Sequence, residues 1–201
     1  MTGLYALKPW YARRLRRVLD ALVARRVRPT AVTWAGVGFG ATAGVAIAAG
    51  RPGVTAGLVV AGLLAARLAC ANLDGSLART TGQAGPRGAL ANELGDRGAE
   101  LVALAGCLAF APPLLVAVAG LASVLPSWVS LAGVSAGAPR VQGGPVGKTE
   151  RALLLVLVAF TGWVVPLLLA WIAGCLLTAL LRLRAATRLL DAQRATVGSR
   201  R

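Results

Sequence analysis

The chain has 201 residues, 57% of them hydrophobic and only 14% charged, and its 22 Lys and Arg against 7 Asp and Glu give a formal charge of +15. A soluble domain carries roughly 25% charged and 45–50% apolar residues, so an ordinary globular enzyme is excluded, and the hydrophobicity equally excludes disorder. The absence of histidine removes zinc-finger and histidine-based chemistry, and Cys70, Cys107 and Cys175, isolated in apolar runs, read as packing residues rather than disulfides or metal ligands.

Residues 1–30 predict a basic amphipathic helix. Seven arginines precede Ala31, which is not the pattern of a cleavable signal. Leu15, Val18, Leu19, Leu22 and Val23 share one helical face, while Arg13, Arg16, Arg17 and Arg25 largely fall elsewhere, so this helix is expected to lie on anionic lipid. Residues 31–183 then predict an all-α integral membrane domain of six transmembrane helices, at about 31–49, 54–73, 88–110, 113–136, 152–165 and 166–183, each span needing roughly 20 apolar residues. The last two are short and share a break at Trp163 to Pro166. In the first span Gly36, Gly40 and Gly44 form a small-xxx-small stripe that lets a neighbouring helix approach closely, and it makes a homodimer a candidate assembly. Residues 184–201 form a basic tail.

The connections expected on one side hold Arg79 and Arg87, then Arg140, Lys148 and Arg151, then Arg182, Arg184 and Arg188; the opposite connections hold only Arg51. The positive-inside rule therefore predicts a multi-pass cell-membrane protein with both termini cytoplasmic. The excess charge is accounted for by orientation and lipid contact, which argues against a nucleic-acid partner.

Four of the seven acids, Asp74, Glu93, Asp96 and Glu100, cluster where the second span leaves the membrane and the third re-enters. Carboxylates near hydrocarbon are costly and mark sites by default; the competing reading pairs Asp74 with Arg79, and Asp96 with Arg97 or Arg67. Gly75 and Ala78 leave room for a bulky ligand beside Asp74, and Arg79 can fork onto phosphate. Gly88, Asn92, Asp96 and Glu100 follow four-residue spacing and share a face. Acids on two facing helices suit a hard divalent cation, Mg²⁺ or Mn²⁺, which in turn holds phosphates.

Read in order, Asp74-Gly75-x-x-Ala78-Arg79, eight residues, Gly88, and Asp96 eight further on resemble the motif of the CDP-alcohol phosphotransferase family of integral membrane enzymes, D-x-x-D-G-x-x-A-R-x8-G-x-x-x-D-x-x-x-D. The entry to the first span, Pro29-Thr30-Ala31-Val32-Thr33, is similar to that family's Pro-Asn-x-x-Thr. The resemblance implies a CDP-alcohol phosphatidyltransferase of phospholipid biosynthesis: an alcohol acceptor attacks the β-phosphorus of CDP-diacylglycerol and releases CMP. It further implies that Asp74 ligates metal, that Gly75, Ala78, Arg79 and Gly88 accommodate the CDP moiety, and that Asp96 is the base. The motif's first and third aspartates are Ala71 and Asn92 here. Asn92 still offers a carbonyl oxygen, Ala71 offers nothing, and Glu100, one turn from Asp96, is the expected substitute ligand. Either a two-metal site becomes a one-metal site, or the chain is a non-catalytic CDP-lipid-binding protein that retains the fold.

The loop from Gln142 to Arg151 is polar and glycine-rich. Gly143 and Gly147-Lys148-Thr149 have nominal P-loop spacing, but that motif must follow a strand and open a helix in a βαβ unit, which a helical membrane chain lacks. Lys148 and Arg151 are instead expected to bind phosphate, of the acceptor or of the lipid, with positive-inside anchoring as the alternative.

Overall fold

A computed structural model describes residues 8–198. They form seven α-helices: α1 (Lys8–Ala24), α2 (Pro29–Ala49), α3 (Val54–Thr80), α4 (Pro86–Ala105, prolonged by a 3₁₀ turn, Gly106–Ala109), α5 (Pro113–Ser135), α6 (Lys148–Thr161) and α7 (Val164–Gly198). Every expected span is occupied by a helix. Four of them, α2, α3, α5 and α7, are long and apolar enough to cross a membrane. The acids and arginines of α4 set it apart, and α6, with 14 residues and about 1.5 Å per residue, is shorter than a hydrocarbon core. Leu58, Leu114, Leu121, Trp128 and Leu169 lie exposed on these helices, an apolar surface suited to lipid.

Proline sets three of the helix starts: Pro29, Pro86 and Pro113 each open a helix, where a missing N–H costs nothing. The break between the last two helices falls earlier than expected. Gly162, left-handed at φ 73°, caps α6, and Pro166 sits in the first turn of α7, where no intrahelical N–H bond is lost. α3 runs seven residues past the expected end at 73, so Asp74 to Arg79 stand within one continuous helix.

α2 packs against α3 and α4, α6 against α3, and α5 against α7. The core gathers Val60, Leu64, Leu104, Leu155, Leu168 and Trp171, and Trp171 Nε1 donates to the Ala119 carbonyl at 3.1 Å, tying α7 to α5. The glycine stripe serves this packing. A Cβ on Gly40 would meet the Ala99 carbonyl oxygen at 2.5 Å, and one on Gly44 would meet that of Val102 at 2.5 Å. The stripe is thus consumed inside the chain and lends no support to a homodimer. Gly40→Ala should force α2 from α4 and cost about 1–3 kcal/mol in thermal unfolding in detergent. Gly38→Ala, where nothing lies within 4 Å, should be neutral or slightly stabilising.

The helix expected at the N-terminus is present, but its apolar stripe has a different occupant. Leu15, Leu19, Leu22 and Val23 pack on Val32 of α2 and on Leu73 and Leu77 of α3, while Val18, Arg16, Arg17 and Arg25 are exposed. The stripe therefore docks on protein, and the outer face is what remains for lipid. The side chain of Arg13, residues 1–7 and residues 199–201 lie outside the described part of the structure.

Candidate active site

The motif residues converge at one end of α3 and α4. Asp74 is buried, 3% exposed, and both carboxylate oxygens are engaged: Thr33 Oγ1 of α2 donates to Oδ2 at 2.8 Å, and the Gly75 N–H donates to Oδ1 at 2.6 Å. Gly95 of α4 allows this approach, since a Cβ there would press on Thr33 Cγ2 at 2.6 Å. Asp96 and Lys148 both lie within electrostatic reach of Asp74. Arg79 does not pair with Asp74; it is exposed and contacts Ser76 Oγ at 3.3 Å, leaving most of its guanidinium donors outward. Gly75 has only Arg79 near a notional Cβ, at 3.4 Å, and Gly88 has nothing within 4 Å, so the room expected beside the motif is present.

On α4, Asp96 is half-buried. Its Oδ2 meets Lys148 Nζ at 3.3 Å, and its main-chain carbonyl, rather than its carboxylate, accepts from Arg67 at 2.8 Å. Asn92 points its Oδ1 into a buried position with no hydrogen-bond partner. An orphaned carbonyl oxygen is a costly feature unless a donor or a cation meets it.

Glu100 and Arg151 occupy a different environment from the one expected of them. Glu100 is buried and its two oxygens are held by Arg151 Nε and Nη2, with Arg97 Nη1 on Oε2 at 3.0 Å. Arg151 is likewise buried and lies over the Trp171 ring, 5.9 Å from its centroid. Glu100 and Arg151 thus meet each other directly, as a buried ion pair between α4 and α6. Glu93, the other acid of the cluster, faces outward and pairs with Arg140 at 2.7 Å.

The loop before α6 is anchored without secondary structure of its own. Arg182 of α7 donates to the Gly143 carbonyl at 2.8 Å, and to the Pro126 carbonyl at 2.9 Å and Ser130 Oγ at 3.2 Å on α5. Ser130 in turn donates to the Val141 carbonyl at 2.8 Å. Gly147 caps α6, with its N–H donating to the Glu150 carboxylate at 3.0 Å, so Lys148 stands at the first helical position. No strand precedes it among the described residues, in keeping with the rejection of a P-loop.

Among the described residues no group of three or more His, Cys, Asp or Glu stands together as a metal cage. What the site offers is two carboxylates, Asp74 and Asp96, and the unpartnered Oδ1 of Asn92. Three hard oxygens fit a single Mg²⁺ or Mn²⁺ completed by substrate oxygens and water; they do not fit a bridged pair of cations. Sequence reasoning gave no role to Thr33 or Gly95. Thr33 stood in the quoted entry motif, 41 positions from its partner, and nothing local marks Gly95.

No protein-family model and no curated protein sequence matches the chain. Solved structures do. The phosphatidylinositol phosphate synthase PgsA1 of Mycobacterium tuberculosis, with CDP-DAG bound, matches at a TM-score of 0.65 and 16% identity over 85% of this chain and 92% of that one. The same enzyme in complex with manganese and citrate matches at 0.64 and 17% identity, over 85% and 87%. The helical fold implied by the motif residues is thus the fold the chain adopts, and its solved neighbours are CDP-alcohol phosphatidyltransferases.

Proposed function

We propose that the chain is a membrane-embedded CDP-alcohol phosphatidyltransferase that takes CDP-diacylglycerol and an alcohol acceptor, releases CMP and forms a phosphodiester in phospholipid biosynthesis. The observation that carries this reading is a fold shared with a phosphatidylinositol phosphate synthase in which Asp96 of α4 lies within electrostatic reach of Asp74 of α3, while Arg79 stands exposed on the same helix as Asp74. Arg79 binds phosphate oxygens of the CDP group, and the open positions at Gly75, Ala78 and Gly88 admit it. Asp96 accepts the proton of the attacking hydroxyl. A single divalent cation, held by Asp74, Asp96 and the Asn92 carbonyl, would supply charge neutralisation of the diphosphate. Phosphoryl transfer asks for positioning and charge rather than covalent partners, so this short set of residues is sufficient. All six expected spans crossing the membrane, with both termini and the site on the cytoplasmic side, belong to the same reading.

The test is CMP release by the purified protein with CDP-diacylglycerol, Mg²⁺ or Mn²⁺, and a panel of acceptors including glycerol phosphate, inositol phosphate, serine and phosphatidylglycerol. Metal-dependent CMP with one of them is expected; none with any of them would overturn the reading. One observation favours the alternative of a non-catalytic CDP-lipid-binding protein: the ammonium of Lys148 sits on the proposed base. That alternative requires lipid binding indifferent to metal, so a metal-dependent thermal shift would exclude it.

A further inference from the structure

We propose that Lys148 supplies in this site the positive charge of a second cation, so that the site is built for one metal ion and one lysine. The inference deepens the function proposed above and rests on it for the identity of the phosphate ligand. Lys148 Nζ lies 3.3 Å from Asp96 Oδ2 and within electrostatic reach of Asp74, the two carboxylates of the site. Its side chain is 30% exposed, so the ammonium is partly desolvated but retains a path to an incoming ligand. Two carboxylates and one ammonium leave a single net negative charge. One divalent cation overcompensates that charge; a second would find a methyl at Ala71, an uncharged carboxamide at Asn92 and an ammonium already on Asp96. Lys148 is also held in place. It opens α6 beside the Gly147 cap, and one turn on, Arg151 is locked to Glu100, so the backbone that carries the ammonium is fixed relative to α4. An ammonium has three donors. One on Asp96 leaves two for the oxygens of a diphosphate.

The experiment counts metal and measures lipid affinity on the full chain in detergent, with Mn²⁺ in equilibrium dialysis and CDP-diacylglycerol binding at saturating Mn²⁺. The wild type should take up one Mn²⁺ per chain. Lys148→Gln should still take up one but bind CDP-diacylglycerol roughly tenfold or more weakly, the loss of a charge-assisted bond. Lys148→Arg, which keeps the charge, should restore binding to within about threefold, as a merely steric role would not. The triple variant Ala71→Asp, Asn92→Asp, Lys148→Gln should take up two Mn²⁺. Two Mn²⁺ on the wild type, or undiminished lipid affinity in Lys148→Gln, would overturn the inference. A wild type that binds one Mn²⁺ and the lipid, loses lipid on Lys148→Gln, and releases no CMP would leave this inference standing and overturn the catalytic reading instead.

Discussion

Glu100→Ala should lower the stability of the folded protein by about 3–5 kcal/mol, the cost of stripping one partner from a buried ion pair. Glu100 is 3% exposed and answers Arg151 and Arg97 directly, and Arg67 lies within its electrostatic reach. Remove the carboxylate and three guanidinium groups face one another in the interior without it. The Nε atoms of Arg67 and Arg97 already lack partners, and Asp96 is the acid that remains within electrostatic reach of Arg67. In thermal unfolding in detergent the shift should be on the order of 10 °C for a chain of this size. The double variant Glu100→Leu with Arg151→Leu, which removes both charges, should be less destabilised than Glu100→Ala alone. If Glu100→Ala instead melts as the wild type does and loses only Mn²⁺ affinity, Glu100 is a metal ligand and its assignment to a structural pair is wrong.

Asp96→Asn should reduce CMP release by roughly 10²–10⁴-fold, the range that positioned proton transfer contributes. The substitution keeps an oxygen where a cation would be met and removes the charge that accepts a proton. It also frees Lys148 from its partner, so CDP-diacylglycerol binding should hold or tighten while turnover collapses. That split between binding and turnover is the diagnostic. Asp74→Asn is expected to behave differently: its carboxylate is already satisfied by Thr33 and Gly75, and the change should appear first as a higher Mn²⁺ requirement. Turnover by Asp96→Asn equal to that of the wild type would remove Asp96 from the role of base.

Apolar runs in the sequence located the helices from α2 to α7, and four of these, α2, α3, α5 and α7, are long and apolar enough to cross a membrane, where a helix must satisfy its own backbone. The end of α3 was less legible, since the polar motif from Asp74 to Arg79 interrupts the hydropathy without interrupting the helix. Asp74 and Asp96 fall on α3 and α4, and Asp96 lies within electrostatic reach of Asp74, as a pattern carried by adjacent helices leads one to expect. Glu100 and Arg151 show where such reasoning stops. Four-residue spacing puts Glu100 on the face of Asp96, and charge puts Arg151 with Lys148 in the polar loop, yet each meets the other across 51 positions of sequence. Nothing local distinguishes an acid that lines a cleft from one that meets an arginine on a distant helix. The stripe on α1 makes the same point. Its existence was readable from the residues, but a partner made of Leu73 and Leu77 satisfies an apolar face as well as lipid does.

The clamp made by Arg182 has a consequence for affinity. One side chain joins the Gly143 carbonyl to Pro126 and Ser130, and so binds a stretch with no repeating hydrogen-bond ladder to two membrane helices. An irregular segment of that kind ordinarily surrenders conformational freedom when a ligand arrives, at roughly 0.5–1.5 kcal/mol for each side chain immobilised and more for backbone. Here the ordering is settled when the chain folds. Lys148 is presented at the end of a preorganised loop, so the phosphate contact proposed for it would carry little ordering cost of its own.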